Sequence, residues 1–296
     1  MPINDDFTLV APEYYAVLPD LEMALERMGL DPKGDYSPSS ENLQILMTAC
    51  LMSIPYETLD CSDYKRYIDI APEYLFEKIV LNRRGGYCYE LNGFFMSVLQ
   101  ALGYECKALM SRILFGKPIL RSVSHRVTQI EIDGVRYLCD VGYGAGCAEG
   151  PINLDDPGIQ QIKKDKFSIK KHEGSEFGDF TLVKYDKEGN PTGFYMVYMH
   201  PHSLLEYISQ NEFSQRTERR DMRLLTDTGS ISVDGIIFRR KVDGEVFEEE
   251  ITSYGRFYEI LTKEFKMVVP RTSFSKSWPR EFVFSKEEYL SSEGKE

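Results

Sequence analysis

Apolar residues at helical spacing characterise the first third of the chain. Leu91, Phe94, Phe95, Val98 and Leu99 lie three or four residues apart, which is typical of an amphipathic helix. We predict helices over four segments before residue 105: Leu21–Met28, Ser40–Met52, Pro72–Val80 and Cys88–Leu102. Residues 1–104 are therefore expected to form a helical bundle.

Alternating apolar and polar positions replace this spacing between Glu105 and Tyr198. Turn signals at Asp133-Gly134 and Glu188-Gly189-Asn190 divide this part of the chain into strands. We expect a β-barrel or a strongly curled sheet, which we assign to residues 105–205.

The remaining part, residues 206–296, combines both patterns. Two strand regions, Ser230–Val242 and Glu245–Ile251, precede a helix predicted over Tyr254–Phe265. The polar, acidic tail from Ser285 is expected to be solvated. The fold class expected for the whole chain is α+β.

Cys88 opens the predicted helix that carries the apolar residues described first. The preceding Gly85 and Gly86 predict a tight approach with unusual backbone angles. In the first turn of a helix, unpaired N–H groups and the helix dipole favour a thiolate. Cys88 is therefore a candidate nucleophile, and the alternative is a small cysteine packed under the helix start.

A nucleophilic thiolate needs a base, and the base needs a group that orients it. The chain contains four histidines, and one of them begins the predicted strand His125–Ile132. After the Asp133-Gly134 turn, Val135–Val141 is the returning strand. A two-residue turn makes Ile132 and Val135 partners and fixes the register of the whole hairpin.

In this register, Val127 lies opposite Asp140 and His125 lies opposite Gly142. His125 and Asp140 share one face as diagonal neighbours, typically ~7–8 Å apart at Cα. The glycine opposite His125 is expected to leave room for the imidazole. Cys139 points to the other face and is predicted to lie in the core.

These positions suggest a nucleophile, a base and an orienting carboxylate: Cys88, His125 and Asp140. A carboxylate beside one imidazole nitrogen fixes the tautomer and leaves the other nitrogen to face the thiol. The simpler interpretation is a hydrogen-bonded strand histidine and an aspartate that caps a turn. A bulged turn would separate the two side chains.

Three segments resemble the arylamine N-acetyltransferase family. Residues 84–92, Arg-Gly-Gly-Tyr-Cys-Tyr-Glu-Leu-Asn, match its Arg-Gly-Gly-x-Cys-x-Glu-x-Asn signature at every defined position. Residues 54–59 resemble its Ile-Pro-Phe-Glu-Asn-Leu segment, and residues 137–144 resemble its Tyr-Leu-Val-Asp-Val-Gly-Phe-Gly strand. The resemblance implies Cys88, His125 and Asp140 as the catalytic triad.

The resemblance further implies a helical bundle, a β-barrel and an α/β lid around a core like that of cysteine proteases and transglutaminases. It implies a ping-pong reaction without a metal, in which Cys88 takes an acetyl group from acetyl-CoA and passes it to an arylamine or arylhydrazine. Tyr56 and Tyr143 replace phenylalanines of the family's acceptor pocket. Arg84 and Glu57 are implied ion-pair partners, and we expect the remaining signature side chains, Glu90 and Asn92, to anchor the helix start.

Length, charge and cysteine content narrow the function classes. The 296 residues are enough for two or three cores, and no apolar run approaches the ~20 residues of a membrane span. A net charge of −12 argues against nucleic acid as a partner. The six cysteines form no Cys-x-x-Cys pair and no secretion signal is evident, which predicts reduced thiols, no structural zinc and a cytoplasmic location.

A polyanionic CoA needs a local positive patch in this acidic chain. If Phe213–Leu224 were helical, Arg216, Arg219, Arg220 and Arg223 would share one face, and we expect Arg219 and Arg220 to bind CoA. A second candidate is the basic stretch Lys163–Lys171. The simpler interpretation is a solvated charged helix face.

Other functions remain open at this stage. The same triad serves a transglutaminase-like cysteine hydrolase, an amide synthase that uses another acyl donor, or a binding protein that has lost turnover. Asn211–Thr217 stands where the family usually has Ser-Thr-x-Pro-x-Ser-x-Phe, and Cys50 replaces a common histidine. These departures bear on which acyl donor binds more than on the reaction of Cys88.

Overall fold

The computed structural model describes residues 11–114, 116, 120–144, 146 and 148–269. The predicted polar tail from Ser285 lies outside these residues. Within them, the helices are α1 (Leu21–Arg27), α2 (Ser40–Ser53), α3 (Leu59–Ser62), α4 (Pro72–Phe76), α5 (Cys88–Ala101), α6 (Glu206–Ser214) and α7 (Tyr254–Glu259). Helices α4 and α7 continue as π-helical turns over Glu77–Leu81 and Ile260–Glu264, and Pro12–Tyr15 form a 3₁₀ turn.

The helix starts follow from short polar side chains at their first positions. Asp20, Ser39 and Ser253 each accept a hydrogen bond from a backbone N–H in the first turn of α1, α2 and α7. Pro72 begins α4, where its missing N–H costs no hydrogen bond. The four helices predicted before residue 105 and the closing helix from Tyr254 are confirmed.

Thirteen strands form two antiparallel sheets within the described residues. They are β1 (Tyr56–Glu57), β2 (Glu105–Ile113), β3 (His125–Ile132), β4 (Val135–Cys139), β5 (Ile152–Asn153), β6 (Gln160–Ile162), β7 (Asp165–Lys171), β8 (Phe180–Tyr185), β9 (Pro191–Val197), β10 (Asp221–Thr226), β11 (Gly229–Asp234), β12 (Ile237–Val242) and β13 (Glu245–Glu250). The α+β class is therefore confirmed.

The larger sheet has eight strands in the order β5-β4-β3-β2-β9-β8-β7-β6 and curls into a nearly closed barrel. Its two edge strands meet through side chains. Gln160 on β6 accepts a 2.8 Å hydrogen bond from the Asn153 N–H on β5, and its amide donates a 2.7 Å bond to the Asn153 carbonyl. The predicted barrel is confirmed.

The hairpin of β3 and β4 has the predicted register, with Ile132 opposite Val135 and Thr128 opposite Cys139. Asp133 and Gly134 both have positive φ, 50° and 79°. Two left-handed central residues define a type I′ turn, whose twist matches that of the strands. The turn therefore places His125 and Asp140 on one face, as the sequence predicts.

The smaller sheet has the order β1-β10-β11-β12-β13 and includes a strand that the sequence analysis missed. In β1, Tyr56 pairs with Arg223 and Glu57 pairs with Met222. The predicted helix over Phe213–Leu224 is wrong, since α6 ends at Ser214 and β10 follows. Alternate burial of Met222 and Leu224 against the core favours a strand there.

Helix α5 is the central element of the fold. Its apolar residues, among them Phe94 and Phe95, belong to one apolar cluster with residues of α1, α2 and α4 and with Ile130 of β3 and Cys139 of β4. Cys139 therefore lies in the core, as predicted. Separate apolar clusters fill the barrel and the space between the smaller sheet and α7. No helix in the described part of the chain is long and apolar enough to cross a membrane.

Candidate active site

The loop before Cys88 packs directly on the segment that contains β1. A Cβ on Gly85 would lie 1.9 Å from the Pro55 carbonyl oxygen, so only glycine fits there. The Gly86 carbonyl accepts a 2.9 Å hydrogen bond from the Glu57 N–H. Neither glycine has a positive φ, so the expectation of unusual backbone angles is wrong. Gly85 is needed because another backbone segment lies so close, and Gly86 is needed because the Glu90 side chain occupies the space of a Cβ.

A buried network of charges supports this loop. Arg84 pairs with Glu57 at 2.6 Å between Nη2 and Oε1, which confirms the pair implied by the resemblance. Lys78 Nζ lies 2.6 Å from carboxylate oxygens of both Asp60 and Glu90. Burial lowers the pKa of Lys78, but these carboxylates outweigh burial and raise it. Sequence reasoning missed Lys78 and Asp60, because a lysine on an apolar helix gives no signal of burial.

Glu90 connects the network to the start of α5. Its Oε2 accepts a 3.0 Å hydrogen bond from the backbone N–H of Tyr87, the residue that caps the helix. Burial raises the pKa of Glu90 to about 7, against the opposing effect of Lys78. The anchoring role predicted for this side chain is therefore confirmed. Removing one partner of such a buried pair typically costs about 3–5 kcal/mol.

Asn92 connects the next turn of α5 to the hairpin. Its side-chain nitrogen donates to Asp140 Oδ1 at 3.0 Å and to the Arg126 carbonyl at 2.6 Å. Its side-chain oxygen accepts from the Val141 N–H at 2.9 Å. Asn92 thus holds the helix that carries Cys88 against the strands that carry the other two predicted residues.

His125 and Asp140 form a buried hydrogen bond of 2.8 Å between Nε2 and Oδ2. Burial raises the pKa of Asp140, but His125 and hydrogen bonds from Asn92 and the Gly142 N–H outweigh burial and lower it. Burial lowers the pKa of His125. Asp140 and then Cys88 raise it by more, so the pKa of His125 lies above its usual value. The electrostatics of this site therefore favour an imidazolium paired with a carboxylate.

The second imidazole nitrogen of His125, Nδ1, is buried and forms no hydrogen bond with the described residues. Cys88 lies close enough to His125 to raise the pKa of the imidazole. The sulfur, Sγ, lies 3.8 Å from the Ser124 carbonyl oxygen. The structure thus brings Cys88, His125 and Asp140 together.

Gly142 determines how closely the hairpin approaches α5. A Cβ at this position would lie 2.7 Å from Cys88 Cα and 2.7 Å from Asn92 Nδ2. The sequence suggests that this glycine leaves space for the imidazole of His125. The backbone of Cys88 occupies that space instead, so the physical reason for the glycine is a close helix–strand contact.

Aromatic side chains surround the imidazole. Tyr143 meets the His125 ring edge-on at 5.8 Å and stacks on Phe194 at 4.9 Å, and Tyr195 lies 5.4 Å from His125. Tyr56 is partly buried, and its pKa is raised by burial and then by Cys88. Both predicted aromatic residues therefore lie at the site. Phe194 and Tyr195 were missed because two aromatic residues in a strand are common in cores.

A cleft of about 800 Å³ runs between the barrel and the smaller sheet. The residues that line it include Tyr56 and Val141, which directly follows Asp140 in the chain. Six basic and four acidic side chains line the cleft: Lys164, Lys184, Lys187, Arg223, Arg239 and Lys241, with Glu149, Asp165, Asp227 and Asp243. The cleft is thus locally basic in a chain of net charge −12.

The two arginines predicted to bind CoA lie elsewhere. Arg220 is buried and forms an ion pair with Asp63, and Arg219 pairs with Asp234 at 2.6 Å. Neither residue lines the cleft, because the shared helix face on which the prediction rested does not exist. Arg223 does line it, from β10, and Lys164 lines it from the second basic stretch.

The described residues contain no group of three or more histidine, cysteine or acidic side chains placed to hold a metal. The rings of His200 and His202 lie 5.5 Å apart. The cysteines in this part of the chain are free thiols: Cys50, Cys61, Cys88, Cys106 and Cys139.

Comparison with known proteins identifies the family. A family model described as N-acetyltransferase matches residues 39–274. The arylamine N-acetyltransferase of Mycolicibacterium smegmatis is 36% identical over 158 residues, which span 52% of this chain and 57% of that protein. The arylamine N-acetyltransferase / N-hydroxyarylamine O-acetyltransferase of Salmonella typhimurium is 25% identical over 78% of this chain and 84% of that protein.

The fold comparison extends further along the chain. The solved structure of the M. smegmatis arylamine N-acetyltransferase matches with a TM-score of 0.78 and 25% identity, over 86% of this chain and 96% of that one. The chain belongs to the arylamine N-acetyltransferase family, whose members are acyltransferases.

Replacing Gly142 with alanine tests the close contact at Cys88. The added methyl group must push Cys88 away from His125, and we expect kcat/KM for acyl transfer to fall at least about 100-fold. Gly255→Ala in α7, where nothing lies within 4 Å of the added Cβ, is the matched control and should keep full activity. Near-normal activity of the Gly142→Ala protein would contradict this geometry.

Replacing Asp140 with asparagine tests the electrostatics of the imidazole. Because burial alone lowers the pKa of His125, we expect the pKa to fall in the Asp140→Asn protein and the imidazolium to be lost at neutral pH. NMR titration of the His125 ring in both proteins measures this change. An unchanged pKa would show that Asp140 does not stabilise the imidazolium.

Proposed function

We propose that this chain transfers an acetyl group from acetyl-CoA to the nitrogen of an arylamine or arylhydrazine, through a thioester on Cys88. The observation that carries the proposal is the buried hydrogen bond between His125 and Asp140, with Cys88 close enough to raise the pKa of His125. This arrangement provides a nucleophile, a proton carrier and an orienting carboxylate. Family membership provides the class of reaction.

In the first half-reaction, the Cys88 thiolate attacks the carbonyl carbon of acetyl-CoA. The new C–S bond forms a tetrahedral oxyanion, which the backbone N–H of Cys88 at the start of α5 stabilises. The bond between the acetyl carbon and the CoA sulfur then breaks. The His125 imidazolium gives its proton to the departing thiolate, which leaves free CoA, acetyl-Cys88 and a neutral imidazole.

In the second half-reaction, the acceptor nitrogen attacks the acetyl carbon of the Cys88 thioester. His125 takes one proton from this nitrogen as the C–N bond forms. The bond to Cys88 breaks, and the thiolate and imidazolium are restored. Asp140 keeps Nε2 protonated throughout, so that Nδ1 is the nitrogen that exchanges protons.

The acceptor is bound by the aromatic side chains around His125. Tyr143, with Phe194 stacked behind it, and Tyr195 offer ring faces and edges at 5 to 6 Å from the imidazole or from one another. Planar aryl groups stack on such surfaces. Tyr56 lines the cleft and lies close enough to Cys88 for the cysteine to raise its pKa, so the acyl donor and the acceptor meet beside Tyr56.

The acyl donor is bound in the basic cleft, and its phosphates contact Lys187 and Lys241. These two lysines are exposed and form no ion pair with any described residue, whereas Lys164 and Lys184 pair with Glu149 and Asp165 at 2.6 Å. They replace Arg219 and Arg220 as our candidates for CoA binding.

The free thiols of the described cysteines agree with a reducing compartment such as the cytoplasm.

Mass spectrometry of the intact protein tests the reaction. Incubation with acetyl-CoA should add one acetyl group at Cys88, and an arylamine or arylhydrazine should then remove it. The Cys88→Ala protein should stay unmodified while keeping its fold. The Cys106→Ala protein, which lacks a different free thiol, should be acetylated like the wild type.

The other functions give different results in the same experiment. A thioester that no aromatic amine discharges would indicate a binding protein or another acceptor. Acylation only from a different donor would indicate an amide synthase. Hydrolysis of peptide esters without any effect of CoA would indicate a cysteine hydrolase. Any of these outcomes would contradict the proposed transfer.

Changing the cleft lysines tests the donor site. We expect the double replacement Lys187→Ala and Lys241→Ala to raise KM for acetyl-CoA roughly three- to tenfold, because each exposed contact with a phosphate contributes about 1 kcal/mol or less. Lys263→Ala with Lys266→Ala removes the same charge at exposed positions outside the cleft and is the control. A rise in KM with Arg219→Ala, and none with the cleft lysines, would restore the earlier prediction.

A further inference from the structure

Arg126 follows His125 on β3, and its side chain points to the opposite face of the strand. It is only 4% exposed and lies against α5. A Cβ on Gly93, in the middle of that helix, would lie 3.1 Å from Nη1 of Arg126. Because Gly93 has no side chain, it leaves space for the guanidinium. Glycine lowers the stability of a helix interior, so this space is provided at a cost to the stability of α5.

The positive charge of Arg126 has no carboxylate partner among the described residues, since none of their ion pairs includes it. Its Nη2 contacts Met96 Sδ at 3.2 Å, and the guanidinium lies 5.2 Å from the centre of the Tyr207 ring. Its Nε has no hydrogen-bond partner in the described part of the chain. A thioether and a ring face replace only part of the lost hydration.

The surroundings of Arg126 destabilise its charged form. Burial lowers the pKa of Arg126, and Tyr207 and Tyr89 offset that effect only in part. A buried charge is normally paired or bound to an ion. The protein itself provides no such partner at this position among the residues described.

A cavity of about 70 Å³ lies beside the guanidinium. The residues that line it include Tyr15, Gly93, Ser97, Arg126 and Leu204. Because one buried water needs roughly 10–15 Å³ measured in the same way, the cavity has room for a group of a few heavy atoms. A nucleotide does not fit in it.

We propose that this cavity binds a small monovalent anion, either a halide or a short carboxylate, on the guanidinium of Arg126. The anion completes the buried charge pair with charge-assisted hydrogen bonds from Nε and Nη1. Arg126 lies on the face of β3 opposite that of His125, and Cys88 is among the groups that raise its pKa. Arg126 has no part in the proposed acyl transfer.

Thermal unfolding of the full-length protein tests the site. Sodium chloride, formate and acetate are compared with sodium gluconate at constant ionic strength, because gluconate carries the same charge on a chain too large for the cavity. We expect chloride or the short carboxylates to raise Tm by roughly 3 °C or more at saturation. A rise of Tm in chloride indicates a halide, and a rise in formate or acetate indicates a short carboxylate.

Arg126→Met should abolish this dependence on the anion. Arg136→Met, which removes a half-exposed arginine of the neighbouring β4 that pairs with Asp155, should retain it. If Arg126→Met does not fold, wild-type crystals soaked in bromide provide the readout, with an anomalous peak expected at the guanidinium. Equal Tm in all four salts would overturn the proposal and leave water as the occupant, and no peak in the cavity would exclude the halide.

Discussion

The close contact between the start of helix α5 and the hairpin of β3 and β4 is the constraint on which the site depends. Gly142 lies against Cys88 Cα so closely that a single methyl group does not fit, and Asn92 bonds the helix to both strands. This contact brings a cysteine from one region of the chain to a histidine and an aspartate from another. The hydrogen bond between His125 and Asp140 then lies inside the protein, where water does not compete with it.

Buried charges on both sides of this contact have different consequences. Behind the Cys88 loop, Lys78 and Arg84 are matched by three carboxylates, and the matched network fixes the position of the helix start. On the other face of β3, Arg126 has no matching carboxylate among the described residues. The first arrangement holds the nucleophile rigidly. The second provides a site where a small anion balances the charge of Arg126.

The sequence predicts the hairpin and its register well, because Asp133 and Gly134 permit only a tight turn and the turn fixes every pairing. It predicts helix α5 for a similar local reason, the spacing of its apolar residues. It does not reveal that the helix face assumed for Arg219 and Arg220 is absent, because four arginines suggest a helix face equally well when they belong to a loop and a strand. Pairing of β10 with β1, a strand far away in the chain, decides that question, and no local pattern reveals this pairing.

The most direct test is the rate at which iodoacetamide alkylates Cys88 at neutral pH in the wild type and in the His125→Asn protein. Only a thiolate reacts rapidly with iodoacetamide, and the proposed mechanism needs the imidazole of His125 beside Cys88. We predict that alkylation slows at least about tenfold when the imidazole is removed. An equal rate in both proteins would contradict the account, because Cys88 would then react without His125.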